Sequence, residues 1–267
     1  MIHESRTTVN GRIVRYLESG VGTPLILLHA FPLNADMWRP QLDHPPAGWR
    51  LIAPDLRGFG GSPIDSEEVG IDDYAHDVLL LMEELSLSRA VIGGLSFGGY
   101  VAFGMFRRAP ERFAGMILAD TRSTADTDDG ARMRRDLLEA IRREGIGILP
   151  EKQIPKLLGA TTRRERPEVV AQVGRTITAN SAPGIEAAIV ALMRRPDSTP
   201  DLSRIEVPTL IIVGEEDEIT PVADARAMNG AIRGSALAIL PGAGHLSNLE
   251  VPGAFSTTIS GWLASIG

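Results

Sequence analysis

Short apolar runs recur along the chain with helix-spaced segments between them, and this alternation sets the fold class. Residues 24–28, 49–54, 89–92, 113–119, 207–213 and 236–240 are nearly continuous apolar stretches. Residues 24–28, 89–92 and 113–119 read as strands buried on both faces of a sheet, and the other stretches as further strands. Between them, Val78, Leu79, Met82 and Leu85 keep helical spacing over 72–85, with Asp72 as the candidate cap. Tyr100, Val101, Phe103, Gly104 and Phe106 do the same up to Arg108, and helices are predicted around 225–228 and 255–263. Trp38 to Leu42 reads as a short helix. Residues 7–18 read as two strands about Asn10-Gly11, the dipeptide of a tight hairpin. Strands alternating with helices mean βαβ units and a parallel sheet. The alternation stops between 121 and 202, where helices are predicted at 131–144, 185–195 and after Pro167, with prolines between them. We expect that stretch to be a helical insertion over the sheet edge that carries the loops.

Composition narrows the classes. The chain has 267 residues, of which 43% are hydrophobic and 23% charged, enough for one large α/β domain. It has no apolar run of membrane-spanning length. Its first residues lack the charged and apolar regions of a signal peptide, so the expected location is cytoplasmic. The net charge of −7 argues against a nucleic-acid or acidic-membrane partner. With no cysteine, the chain has no disulfide, thiolate metal site or cysteine nucleophile. Lysine occurs only at 152 and 156, which leaves a Ser–Lys dyad or Schiff base almost without candidates.

The chemistry centres on Gly94-Leu95-Ser96-Phe97-Gly98, a G-x-S-x-G between a strand and a helix. Glycine at 94 and 98 lets neighbouring backbone come close, which puts Ser96 in a strained turn with its hydroxyl exposed. The helix that follows aims its N-terminal N–H groups at whatever that hydroxyl attacks. Serine needs a base, and His245, in the glycine-rich loop after the strand 236–240, is the candidate. A third group must fix the imidazole tautomer. Asp217, four residues past Val213, fits that role, with Asp120 as its rival and Glu215, Glu216 and Glu218 nearby. Ser, then Asp, then His, each after its own strand, is the order of α/β-hydrolase triads.

On these residues the chain resembles the α/β-hydrolase fold superfamily, and within it small bacterial carboxylesterases and 3-oxoadipate enol-lactonase-like proteins. The resemblance runs nearly end to end through His29-Ala30-Phe31-Pro32, the loop from Asp55 to Ser62, the serine motif, Gly214-Glu215-Glu216-Asp217 and Gly242-Ala243-Gly244-His245. It implies an eight-stranded, mostly parallel sheet flanked by helices, with a helical cap between strands 6 and 7. The core is then 1–120 and 203–267, and the cap is 121–202.

It also implies that the loop at His29 walls an oxyanion hole, with the N–H groups of Phe31 and Phe97 as donors. Such proteins usually carry glycine where this chain has Ala30. If that position needs positive φ, alanine costs on the order of 1 kcal/mol. His29 is expected to brace the loop, and Asp55 and Arg57 to hold their own loop together as a pair. The pocket is expected to be apolar, with Phe31, Trp38, Phe97 and the insertion residues Leu137, Leu138, Ile141, Leu157 and Leu158 as candidate walls. Trp38 is the candidate substrate-binding residue.

The expected reaction is hydrolysis of a small-molecule carboxylic ester or lactone through an acyl-enzyme on Ser96, with no metal or organic cofactor. A cofactor-free haloperoxidase or perhydrolase is the alternative. A C–C bond hydrolase or a non-catalytic ligand-binding protein of the same fold stands further off.

Overall fold

The computed structural model describes residues 1–64 and 68–266. Its strands are β1 (His3–Val9), β2 (Arg12–Gly20), β3 (Thr23–Leu28), β4 (Trp49–Pro54), β5 (Ala90–Leu95), β6 (Phe113–Ala119), β7 (Thr209–Gly214) and β8 (Ala236–Leu240). They form one eight-stranded sheet in the order β1-β2-β4-β3-β5-β6-β7-β8. β2 pairs antiparallel with β1 and with β4, and every other pairing is parallel. Val9 pairs with Arg12 across Asn10 and Gly11, whose φ values of 47° and 80° are those of a two-residue hairpin turn. Every residue of β5 and of β7 is buried, which is why both read as unbroken apolar runs.

Helix Phe97–Arg108 packs on β3, β5 and β6, helix Val222–Ala231 on β7 and β8, and helix Pro252–Ile266 on β8. Helix Ile71–Glu84 begins one residue before the expected cap, Asp72. Gly70 is the cap, and Asp73 rather than Asp72 reaches back to its N–H at 2.8 Å. The short helix expected over 38–42 is an α turn at Arg39–Leu42, preceded by a 3-10 turn at Ala35–Trp38.

Between β6 and β7 the chain makes helices Asp128–Glu144, Leu149–Leu157, Ala160–Glu165, Pro167–Thr178 and Ala182–Met193. The first starts earlier than the apolar spacing suggests, because Thr127 caps it by accepting from the Gly130 N–H. The second and third escaped the sequence reading. Pro155 interrupts the apolar period of one, and the other is a polar six-residue helix. Among the described residues, no helix is long and apolar enough to cross a membrane.

Candidate active site

The parallel strands end on one edge, and the loops that leave β3, β5, β6, β7 and β8 meet there. Ser96 caps helix Phe97–Arg108 with φ 53° and ψ −108°. A non-glycine residue held there costs on the order of 1–3 kcal/mol. The surrounding glycines serve close approach. A Cβ on Gly94 would lie 2.2 Å from the Gly98 carbonyl oxygen, and one on Gly98 would lie 2.2 Å from that of Leu28. Any side chain at 94 or 98 would therefore push strand and helix apart and unseat Ser96.

The three residues singled out from sequence come together. Ser96 Oγ is 2.8 Å from His245 Nε2, and His245 Nδ1 is 2.8 Å from Asp217 Oδ2. An aspartate carboxylate only accepts, so Nδ1 carries the proton, and Nε2 is left to accept from the serine hydroxyl. Asp217 is itself held by four donors. Its Oδ1 accepts from the Ile219 and Thr220 N–H groups at 2.8 and 3.0 Å. Its Oδ2 accepts from the Thr220 hydroxyl at 2.6 Å as well as from His245. Burial pushes the Asp217 carboxyl up, but the charge and hydrogen bond of His245 and the donors of Thr220 outweigh it, so the net shift is down. Such a chain can pull a proton from a hydroxyl and hold the resulting imidazolium. Sequence reasoning missed Thr220. The spacing Asp217-x-x-Thr220, an acidic side chain closing a turn onto the N–H groups after it, is the signal that could have found it.

Asp120 does not reach His245. Its carboxylate accepts from the Gly214 N–H at 2.8 Å and from the Ser247 hydroxyl at 2.5 Å. That separates the two acids the sequence left open.

Phe31 lines the cavity together with Ser96 and His245. Ala30 keeps an ordinary φ, since the described non-glycine residues with positive φ are Asn10, Ser86, Ser96 and Asp120. Alanine is therefore unstrained where glycine is usual. The Phe97 side chain is fully buried between Tyr74 and Phe59, with ring centroids at 5.0 and 6.0 Å. Only its backbone N–H remains for the site, and as the first helical residue it has no partner inside the helix.

Trp38 requires a correction. It is 1% exposed, packs against Phe255 at 5.9 Å, and takes no part in the cavity wall. An indole fills core volume as readily as it walls a pocket, and here the helix Pro252–Ile266 covers it.

His29 braces its loop as expected. The Leu56 N–H donates to Nε2 at 3.0 Å, which puts the proton on Nδ1, facing the Ala30 carbonyl at 3.0 Å. Burial holds the ring below the usual imidazole pKa, against the Ala30 carbonyl and Asp55. The neutral ring persists in the native state while the unfolded chain takes up a proton below about pH 6.5. Stability is then present above that pH and is lost as pH falls below it, by up to about 1.4 kcal/mol per unit for this one proton. His29→Leu leaves the Leu56 N–H unpaired, which costs on the order of 1–3 kcal/mol at pH 7.5. Urea unfolding at pH 7.5 and pH 5.5 checks both effects: the variant should be less stable at the higher pH and show a flatter decline toward the lower one.

Asp55 and Arg57 do not pair with each other. Asp55 meets Arg15 at 2.9 Å and accepts from the Ala35 and Gly61 N–H groups, whereas Arg57 grips Asp77 at 2.6 and 2.7 Å. Both pairs reach across the fold, a connection that adjacency in sequence cannot reveal.

The cavity above Ser96 measures about 860 Å³. Leu137 and Leu157 line it as expected, but Leu138, Ile141 and Leu158 are buried behind the wall. Nor is it apolar: Arg122, Arg134, Lys152, Lys156, Asp126 and Asp224 stand on its walls. Asp126 is engaged by Arg134 and Arg195, each at 2.6 Å. Two carboxylates latch the insertion to the loops below. Glu216 accepts from the Thr161 N–H at 2.9 Å, and Glu250 bridges the Gly159 and Leu246 N–H groups at 2.8 and 3.0 Å. Among the described residues, no group of three or more His, Asp or Glu side chains is placed to hold a metal.

A family model described as the alpha/beta hydrolase fold matches residues 23–252. The chain is 36% identical to a thermophilic esterase from Thermogutta terrifontis of known structure, with 99% of each chain covered and a TM-score of 0.92. It is 29% identical to 3-oxoadipate enol-lactonase 2 of Acinetobacter baylyi, covering 88% of this chain and 86% of the relative. It is 33% identical to a non-heme chloroperoxidase of Streptomyces lividans, covering 82% of this chain and 84% of the relative.

Proposed function

Since the chain belongs to the α/β-hydrolase fold family, we propose that it hydrolyses a small-molecule carboxylic ester or lactone through an acyl-enzyme on Ser96. The observation that carries this reading is the pair of 2.8 Å contacts from Ser96 to His245 and from His245 to Asp217, opening into a cavity of about 860 Å³. His245 takes the serine proton as Ser96 Oγ attacks the carbonyl carbon, and Asp217 stabilises the imidazolium. The N–H groups of Phe31 and Phe97 receive the charge that builds on the carbonyl oxygen. His245 then gives its proton to the departing alcohol, and water cleaves the acyl-enzyme by the same route. The helices between β6 and β7 act as a cap over residues 1–120 and 203–267, which supply the chemistry. No step requires a metal or organic cofactor.

The kinship with the chloroperoxidase keeps a second reading in view, in which peroxide replaces water at the acyl-enzyme. One panel separates them. Initial rates are measured on p-nitrophenyl acetate, butyrate and octanoate and on a simple lactone, beside peroxide-dependent bromination in acetate buffer. Ester or lactone turnover that far exceeds bromination supports the first reading, and the reverse ranking replaces it with the second. Inertness in every arm would rule out both.

A further inference from the structure

Ser96, Asp217 and His245 sit on three separate loops, and one tripeptide at the end of β6 touches all three. The Ala119 carbonyl accepts from the Ser96 N–H at 2.9 Å, and the Thr121 hydroxyl donates to the Ser96 carbonyl at 2.9 Å. Between them, Asp120 sends its two carboxylate oxygens in different directions. Oδ1 takes the Gly214 N–H at 2.8 Å, at the root of the loop that carries Asp217. Oδ2 takes the Ser247 hydroxyl at 2.5 Å and the Ser247 N–H at 3.3 Å, two residues past His245.

This arrangement is costly. Asp120 is 0% exposed and has φ 42°, a left-handed conformation in a non-glycine residue. Burial and the nearby charge of Asp217 push its carboxyl well above the usual carboxylate range, against the hydrogen bonds of Ser247 and Gly214. Strain and desolvation of this kind persist only where the surrounding structure demands them, and they cluster at functional sites. The ladder of backbone hydrogen bonds ends where the strands end, so the loops beyond need another means of registration. Ser96 and Asp120 occupy equivalent places, both with positive φ at the ends of the adjacent strands β5 and β6.

We infer that Ala119-Asp120-Thr121 registers the three loops, and that Asp120 is a positioning residue that holds Asp217 and His245 in line with Ser96. The inference rests on the serine-hydrolase reading for its effect on rate, but its geometric content stands apart from turnover. Constellations of this type tolerate a drift of only about 0.5 Å, and displacement by about 1 Å costs on the order of 10²-fold in rate.

The test uses the full chain as wild type, Asp120→Ala, Asp120→Asn and Ser247→Ala. For each, kcat and KM on p-nitrophenyl butyrate are referred to sites titrated with an organophosphorus ester. The downfield proton resonance of the imidazole N–H facing Asp217 is recorded in parallel, with Asp217→Asn as the control that removes it. We expect Asp120→Ala to lose about 100-fold in kcat per titrated site with KM within about threefold, and to lose the resonance. Asparagine keeps an acceptor for Gly214 and donates to the Ser247 hydroxyl oxygen in place of accepting from it, giving up the longer bond from the Ser247 N–H, and should recover to within about tenfold of wild type. A merely structural role would lower the number of titratable sites and leave kcat per site and the resonance unchanged, which overturns the inference. Should Asp120→Ala not fold, Ser247→Ala decides: about tenfold loss in kcat per site supports registration, and none overturns it. If wild type hydrolyses no ester, the resonance alone decides. Its loss in Asp120→Ala, or in Ser247→Ala where the former does not fold, sustains the positioning role while the hydrolase reading falls, and its retention removes the positioning role as well.

Discussion

Ser96→Ala is expected to lower kcat on p-nitrophenyl butyrate by about 10⁶-fold while leaving the fold in place. Among the described residues, the hydroxyl is the one group that both opens into the cavity and lies 2.8 Å from His245 Nε2, so no neighbour among them can replace it. Alanine accepts the same backbone as serine at φ 53°, because the strain of that conformation comes from the Cβ, which both residues share. What is lost in stability is one hydrogen bond, on the order of 1 kcal/mol. Side-by-side initial rates and urea unfolding check the two halves: activity near background with an almost unmoved midpoint. Equal activity in the two proteins would place the chemistry elsewhere than Ser96.

Asp217→Asn is expected to cost about 10⁴-fold in kcat, with KM little changed. The asparagine oxygen can keep the Ile219 and Thr220 N–H groups, which presents its NH₂ to His245 Nδ1 where a carboxylate oxygen stood. A donor facing Nδ1 selects the other tautomer, with the proton on Nε2 and directed at Ser96 Oγ. The base is then blocked. The same substitution has a pH signature in stability. Asp217 is held below the ordinary carboxylate range in the folded chain, so its ionisation stabilises the native state above about pH 4. That contribution is lost as pH falls through the lower folded value. The gap in unfolding free energy between wild type and Asp217→Asn should therefore be full at pH 7 and close as pH drops below about 4. A gap that stays constant down to the acid transition would mean that Asp217 does not titrate with a depressed pKa.

Much of this was legible in the chain itself, for reasons of local physics. Strands buried on both faces must be apolar throughout, so β3, β4 and β6 could be delimited to within a residue by composition alone. The Asn10-Gly11 hairpin was legible because few residues tolerate two consecutive positive φ angles. The serine motif was legible because glycines at 94 and 98 answer a contact between strand and helix that admits no side chain. In each case the cause lies within a few residues of the effect.

What escaped involves groups distant in sequence. Trp38 is apolar and lies near the right loop, yet whether it faces a pocket or a core depends on where Phe255 arrives. Asp55 and Arg57 look like a pair, but Arg15 and Asp77 claim them from other strands and helices. Leu137 and Leu138 are adjacent and chemically alike, and only the packing of their helix decides that one lines the cavity and the other does not.

Local pattern is enough for the α/β class, for the eight strands, and for Ser96 and His245 as candidates with Asp217 or Asp120 as the acid, because periodicity and strand-end position are written into neighbouring residues. Which of Asp120 and Asp217 faces the imidazole is settled only in the closed fold. Both follow the end of a strand, both are buried, and both carry the same carboxyl. The choice came from a crossing of loops that set 2.8 Å between Asp217 and His245 and gave Asp120 to Gly214 and Ser247 instead. A hydrogen bond is sensitive to tenths of an ångström, and contacts between residues 28 to 127 positions apart are fixed only when the whole sheet has closed its register.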